Sequence, residues 1–132
     1  VRFETPFVAI HLKKGAITVR KEKVLEIESI VENMINFQRM ADEYNETMKN
    51  NIDYFSVLAY QFLENSMKSI SKEDYLCLVK DFVIELNKLN EKADCSLIET
   101  DEREQIYSFI ENISEKLGYV FDYDITEEVR EW

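Results

Sequence analysis

Tyr54-Phe55-Ser56-Val57-Leu58-Ala59-Tyr60-Gln61-Phe62-Leu63-Glu64-Asn65-Ser66-Met67 carries a single charge, Glu64. Phe55, Leu58, Ala59, Phe62 and Leu63 follow the three- and four-residue spacing of one helical face, with Ile70 in line beyond them. Val57, Tyr60 and Met67 lie off that stripe. A helix that is apolar on most of its circumference belongs at the centre of a fold. The segment therefore predicts a helical bundle built around residues 55–70.

Helical periodicity extends on both sides. Upstream, Ile27, Ile30, Val31, Met34, Phe37, Ala41, Tyr44 and Met48 share one face, which predicts a first helix from about residue 22 to a break at Asn50-Asn51. Downstream, Ser71 with Asp74 approximates a capping box. It opens a third helix carrying Tyr75, Leu78, Val79, Phe82, Val83, Leu86 and Leu89. A polar connection over 90–99 leads to Thr100, expected to cap a fourth helix with Asp101 and Glu102 in its first turn. Its stripe is Ile106, Phe109, Ile110, Ile113 and Leu117, and Gly118 is placed to stop it.

The chain ends read differently. Phe7–Leu12 and Ala16–Val19 are β-prone runs around Lys13-Lys14-Gly15, which predicts a β-hairpin over residues 3–19, with Pro6 at the start of a strand or at a sheet edge. Tyr119-Val120-Phe121-Asp122-Tyr123 reads as a short C-terminal strand able to join it. Ile125, Val129 and Trp132 share a face on a last short helix. The expected fold is α+β and predominantly helical: a four-helix bundle with an N-terminal β-hairpin and a short strand near the C-terminus. One domain is expected over 1–132, divided into a lead (1–20), the bundle (21–118) and a C-terminal strand and helix (119–132).

Composition agrees with a folded, mostly helical chain. Of 132 residues, 45% are hydrophobic and 12% aromatic, too many for disorder, while two Gly and one Pro are too few for a turn-rich β fold. No apolar run approaches a membrane span, and no basic-then-apolar leader is visible, so a cytoplasmic protein is expected. Cys77 and Cys95 make no disulfide framework.

Most chemistries lack their residues. One histidine, His11, and two distant cysteines leave no metal-ligand cluster of the usual type. His11 alternates with apolar strand positions and reads as a rim residue, and Cys77 has no histidine nearby in sequence to activate it. Two glycines cannot build a phosphate-binding loop, and no Gly-x-Ser-x-Gly elbow occurs.

Glu43-x-x-Glu46 and Glu91-x-x-Asp94 resemble the paired acidic motifs by which all-helical nucleotide pyrophosphatases hold Mg²⁺. At about 100° per residue, however, Glu43 and Glu46 fall on the side away from the Met34 stripe. Glu91 and Asp94 fall where the third helix ends. The run from Asp122 to Glu128 resembles the opening of an EF-hand loop, but Glu127 stands where that loop requires glycine. No catalytic residue, cofactor or metal site is assigned, and an enzyme is not expected.

Charge is the remaining signal. The net charge is −11, which disfavours direct contact with nucleic acid or an anionic membrane. Residues 94–132 hold twelve acids against three Lys/Arg, together with Tyr107, Phe109, Tyr119, Phe121, Tyr123 and Trp132. Acidic surfaces with aromatic anchors suit basic protein partners, the charges raising on-rate and the rings supplying affinity. By size and charge alone, the expectation is a small acidic module that neutralises or regulates a basic partner, as immunity proteins and antitoxins do. The expected partner-binding residues are Asp122, Asp124, Glu127 and Glu128, with Tyr119, Tyr123 and Trp132 as anchors. The alternatives are an oligomeric phage or scaffold-type module touching through Val57, Tyr60, Cys77 and Ile84, and an Mg²⁺-dependent helical hydrolase.

Overall fold

The computed structural model describes the chain from residue 6 to residue 132, with side chains from Val19 onward. Four helices account for most of it: α1 (Pro6–Met40), α2 (Glu46–Met67), α3 (Lys72–Lys92) and α4 (Thr100–Lys116). Helix α1 packs on α2 and on α4, and α2 packs on α3.

The expected bundle is present, but the expected β elements are not. Among the described residues there is no strand, so the fold is all-helical rather than α+β. The hairpin placed over 3–19 falls partly on residues 1–5, outside the described residues. From Pro6 the backbone is helical, and α1 continues through the position expected to separate lead from bundle. Proline is tolerated in a helix's first turn, where its missing N–H has no acceptor to serve. Short apolar runs do not distinguish strand from helix by periodicity alone. Residues 119–123 form no strand either, and a lone hairpin without a sheet partner is marginal in water.

Helix α1 also ends earlier than its apolar pattern suggests. Asp42 adopts a left-handed φ of 59°. Its N–H reaches Arg39 O at 3.1 Å while Glu43 N–H reaches Gln38 O at 2.7 Å. This is the paired closure of a helix C-terminus, with aspartate where glycine is commoner. Asn45 then caps α2, its side chain accepting from Met48 N–H at 2.8 Å. The apolar register runs on through Phe37, Ala41, Tyr44 and Met48, which hides the break. Asn50 and Asn51 lie inside α2, and Asn51 is buried.

One contiguous core joins all four helices. Ile27, Ile30 and Met34 of α1 meet Phe55, Leu58, Ala59, Phe62 and Leu63 of α2. Val79, Phe82, Val83 and Leu86 of α3 and Ile106, Phe109, Ile110 and Ile113 of α4 complete it. Most of the expected stripe positions are buried or half-buried, but Phe37 and Ala41 are exposed and Ile70 is 90% exposed. Phe62 stacks on Phe82 with centroids 4.5 Å apart. Ser71 caps α3 as expected, accepting from Asp74 N–H at 3.0 Å, while Glu99 rather than Thr100 caps α4. The 90–99 connection is less polar than expected. Leu97 and Ile98 are buried there, their N–H groups bonded to Asn90 Oδ1 at 3.2 and 2.9 Å.

The last residues act as a wedge across α3 and α4. Leu117 and Gly118 close α4: Gly118 N–H bonds Glu115 O, and Tyr119 N–H bonds Ser114 O at 2.8 Å. Gly118 has a φ of +82°, the value this stop demands. Beyond it Tyr119 and Phe121 pack on Tyr75 of α3, with centroids 5.6 and 6.4 Å away. The Asn87 side chain clamps the far end, donating to Val129 O at 2.7 Å and accepting from Glu131 N–H at 3.0 Å. Tyr75 ties the assembly together. Fully buried, it donates its hydroxyl to Ile110 O of α4 at 2.6 Å. In place of the expected last helix, residues 125–129 form turns, yet Ile125, Val129 and Trp132 all face the core.

Candidate functional site between α4 and the final segment

The closure at Gly118 turns the chain back along α4 and leaves a cleft of about 150 Å³ between them. From α4 it is lined by Tyr107, Ile110, Glu111, Ser114 and Glu115, and from the final segment by Tyr119, Val120, Phe121, Tyr123 and Ile125. Tyr107, Glu111 and Glu115 recur at i, i+4 and i+8, which brings them to one face of α4. The Ser114 hydroxyl donates to Tyr119 O at 3.0 Å and fixes the entry of the returning chain.

The cleft has aromatic walls and a carboxylate edge. Phe121 and Tyr123 stand edge to face, 5.9 Å apart at 86°. Tyr123 is 58% and Val120 75% exposed, so the mouth carries unusually open apolar surface. The Tyr107 hydroxyl donates to Glu111 Oε2 at 2.9 Å. Its pKa is pushed up to about 12, first by desolvation, then by that hydrogen bond and the charge of Glu111. Glu115 has no ion pair among the described residues, and neither has Glu111.

The seven residues expected to bind a partner divide sharply. Tyr123 is open at the cleft, and Asp122 and Glu127 are exposed without ion pairs among the described residues. Glu128 is exposed, with Lys80 Nζ 3.9 Å away. Tyr119 is half-buried, spending one face on Tyr75 while its hydroxyl lies 3.3 Å from Ser69 Oγ. Asp124 is structural. Its Oδ1 accepts from Thr126 N–H at 2.9 Å and from the Thr126 hydroxyl at 2.6 Å, while Oδ2 pairs with Arg130 at 3.2 Å. Trp132 is also partly inside. It packs against the core with the Arg130 guanidinium 5.6 Å from its ring, and its indole N–H is buried without a partner among the described residues.

The cleft also brings in Glu111 and Glu115, which the expected set of partner-binding residues did not include. Their signal was available as the i, i+4 continuation of Tyr107 on the polar flank of α4. Phe121 and Val120 were obscured by their assignment to a strand.

The acidic pairs weighed for Mg²⁺ are spread over chain turns: Glu43 lies in the α1–α2 connection, Glu46 opens α2, Glu91 is in the last turn of α3, and Asp94 follows it. All four are exposed. Among the described residues no cluster of three or more His, Cys, Asp or Glu side chains is placed to hold a metal ion. No helix is long and apolar enough to cross a membrane among those residues. Comparison with protein-family models, curated proteins and solved structures finds no match for this chain.

Proposed function

We propose that this chain is a small acidic protein-binding module that neutralises or regulates a basic partner, in the manner of an immunity protein or antitoxin blocking a toxin. The observation that carries this reading is the pairing of open aromatic surface with free carboxylates at one end of the molecule. Tyr123 and Val120 are exposed beside Asp122 and Glu127, on a segment held in place by the core. The charges would steer a cationic surface inward, and desolvation of Tyr123 would supply the contact energy. This reading assigns no catalytic residue. It also suits the cytoplasm, where thiols stay reduced, since Cys77 and Cys95 are both free and exposed.

The test is capture from the lysate of the native cell at low salt, followed by reconstitution with the purified partner. The expected partner is basic, and replacing Asp122, Glu127 and Glu128 together with Ser weakens the reconstituted pair about tenfold. A neutral or acidic partner, or unchanged affinity in the variant, contradicts the reading.

A second reading, the oligomeric assembly module, is favoured by the outer face of α2. Tyr54 and Val57 are each 47% exposed there, with Tyr60 alongside. Light scattering that returned a dimer or larger species, dissociated by Val57→Glu, would support it.

A further inference from the structure

We propose that the cleft between α4 and the final segment receives one arginine side chain of the partner, its guanidinium lying against the aromatic walls and pairing with Glu111 and Glu115. The proposal rests on the partner reading above and gives it a point of contact. Size comes first. A space of about 150 Å³ is smaller than the ~300 Å³ at which whole small-molecule sites begin. It matches a cavity that holds one benzene-sized group. One side-chain head fits; a cofactor does not.

The lining then selects the head. Phe121 and Tyr123 meet at 86°, forming a corner whose ring faces attract a cation. Phe121 already does so within the chain, since Lys72 Nζ lies 4.6 Å from its centroid, and Lys72 is not among the lining residues. Glu111 and Glu115 sit one turn apart on α4 with no ion pair among the described residues. Like charges in that relation repel, and a cation between them relieves the repulsion. Of the nearby cations, Arg130 pairs with Asp124, Lys116 lies 3.9 Å from Glu22, and Lys72 stands over Phe121 without an ion pair to either glutamate. The Tyr107 hydroxyl, whose pKa is raised first by desolvation and then by its hydrogen bond to Glu111, stays a neutral donor at this edge. Arginine suits the site better than lysine because a planar guanidinium stacks on rings, forks to carboxylates and sheds water more readily than an ammonium.

The test is an NMR titration of the full chain with N-acetyl-arginine methylamide, following the Tyr and Phe ring resonances. The lysine analogue and the uncharged citrulline analogue serve as controls. Saturable shifts at Tyr107, Phe121 and Tyr123 are expected in the millimolar range. Lysine should bind about threefold and citrulline about tenfold more weakly. Glu111→Gln and Glu115→Gln each weaken arginine binding about threefold, and Glu104→Gln, elsewhere on α4, leaves it unchanged.

Equal binding of citrulline or lysine, shifts centred elsewhere, or no shift at any concentration reached overturns the proposal. Failure of the two readings is separable. Arginine binding at the cleft without a basic partner sinks the partner reading and leaves the site. A basic partner held through Asp122 and Glu127, with arginine shifting no ring, sinks the site and leaves the partner reading.

Discussion

Helix α4 separates two acidic concavities that differ in everything except charge. On one side α1 and α4 line an open groove of about 420 Å³ with Glu26, Asp101 and Glu104 among Ser29, Asn33, Gln105 and Ser108. On the other lies the smaller cleft, with Glu111 and Glu115 among four aromatic rings. The groove is lined mainly by polar side chains, and Glu26 is already paired with Lys23 at 2.8 Å. Acidic residues alone therefore mark nothing. What distinguishes the cleft is apolar surface left open beside carboxylates that have no ion pair among the described residues.

The largest expected effect tests whether the cleft is built on the core. Tyr75→Ala removes a fully buried ring under Tyr119 and Phe121. It should cost about 3–5 kcal/mol in urea unfolding and abolish ring shifts on arginine addition. Asn33→Ala in the groove should cost under ~0.5 kcal/mol.

Next in size is the clamp. Asn87→Ala deletes both hydrogen bonds to the final segment and should cost about 1–2 kcal/mol, with faster amide exchange at Glu131 and Val129. Loss without faster exchange there would mean that the wedge is held by packing alone.

A smaller effect of opposite sign belongs to Glu102, beside the groove. Its side chain is buried, its Oε1 accepts from Glu99 N–H at 3.1 Å, and burial raises its pKa. A carboxyl whose folded pKa is raised holds its proton more tightly in the folded state. Its contribution is complete below the ordinary carboxylate pKa and is lost as pH rises through the folded value. Glu102→Gln keeps the acceptor and removes the charge. The melting temperature should rise at neutral pH, and the gain should shrink as pH falls through the carboxylate range. An unchanged or lowered melting temperature at pH 7 would show that the ionised form is well accommodated.

The helices were legible because burial enforces a period that residue types report directly, as in Phe55, Leu58, Phe62 and Leu63. The stop at Asp42 was not, because the apolar register of Phe37, Ala41, Tyr44 and Met48 passes through it while the capping Asn45 looks like any polar residue. The strands failed for a related reason. Tyr119-Val120-Phe121 has strand composition, but its neighbours are helices α3 and α4, and β-propensity expresses itself only against a pleated partner.

The candidate site was half legible. Charge and aromatic content pointed to residues 94–132. Composition could not separate Asp124, which serves its own turn through Thr126 and Arg130, from Asp122, which has no ion pair among the described residues. Nor could it separate Trp132, turned inward, from Tyr123, turned out. Those distinctions depend on how a wedge seats between two helices, a tertiary fact with no local periodicity.

Under the proposal, partner recognition uses the aromatic cleft and not the groove. Calorimetric titration of an arginine-rich peptide into three proteins tests it most directly: the wild type, the Glu111→Gln/Glu115→Gln double variant and the Asp101→Asn/Glu104→Gln double variant. Both variants remove two charges from α4, so the long-range field changes equally. About tenfold weaker binding is expected in the first variant and less than about twofold change in the second. Equal loss in both would contradict it, reducing the cleft to one more part of a uniformly acidic surface.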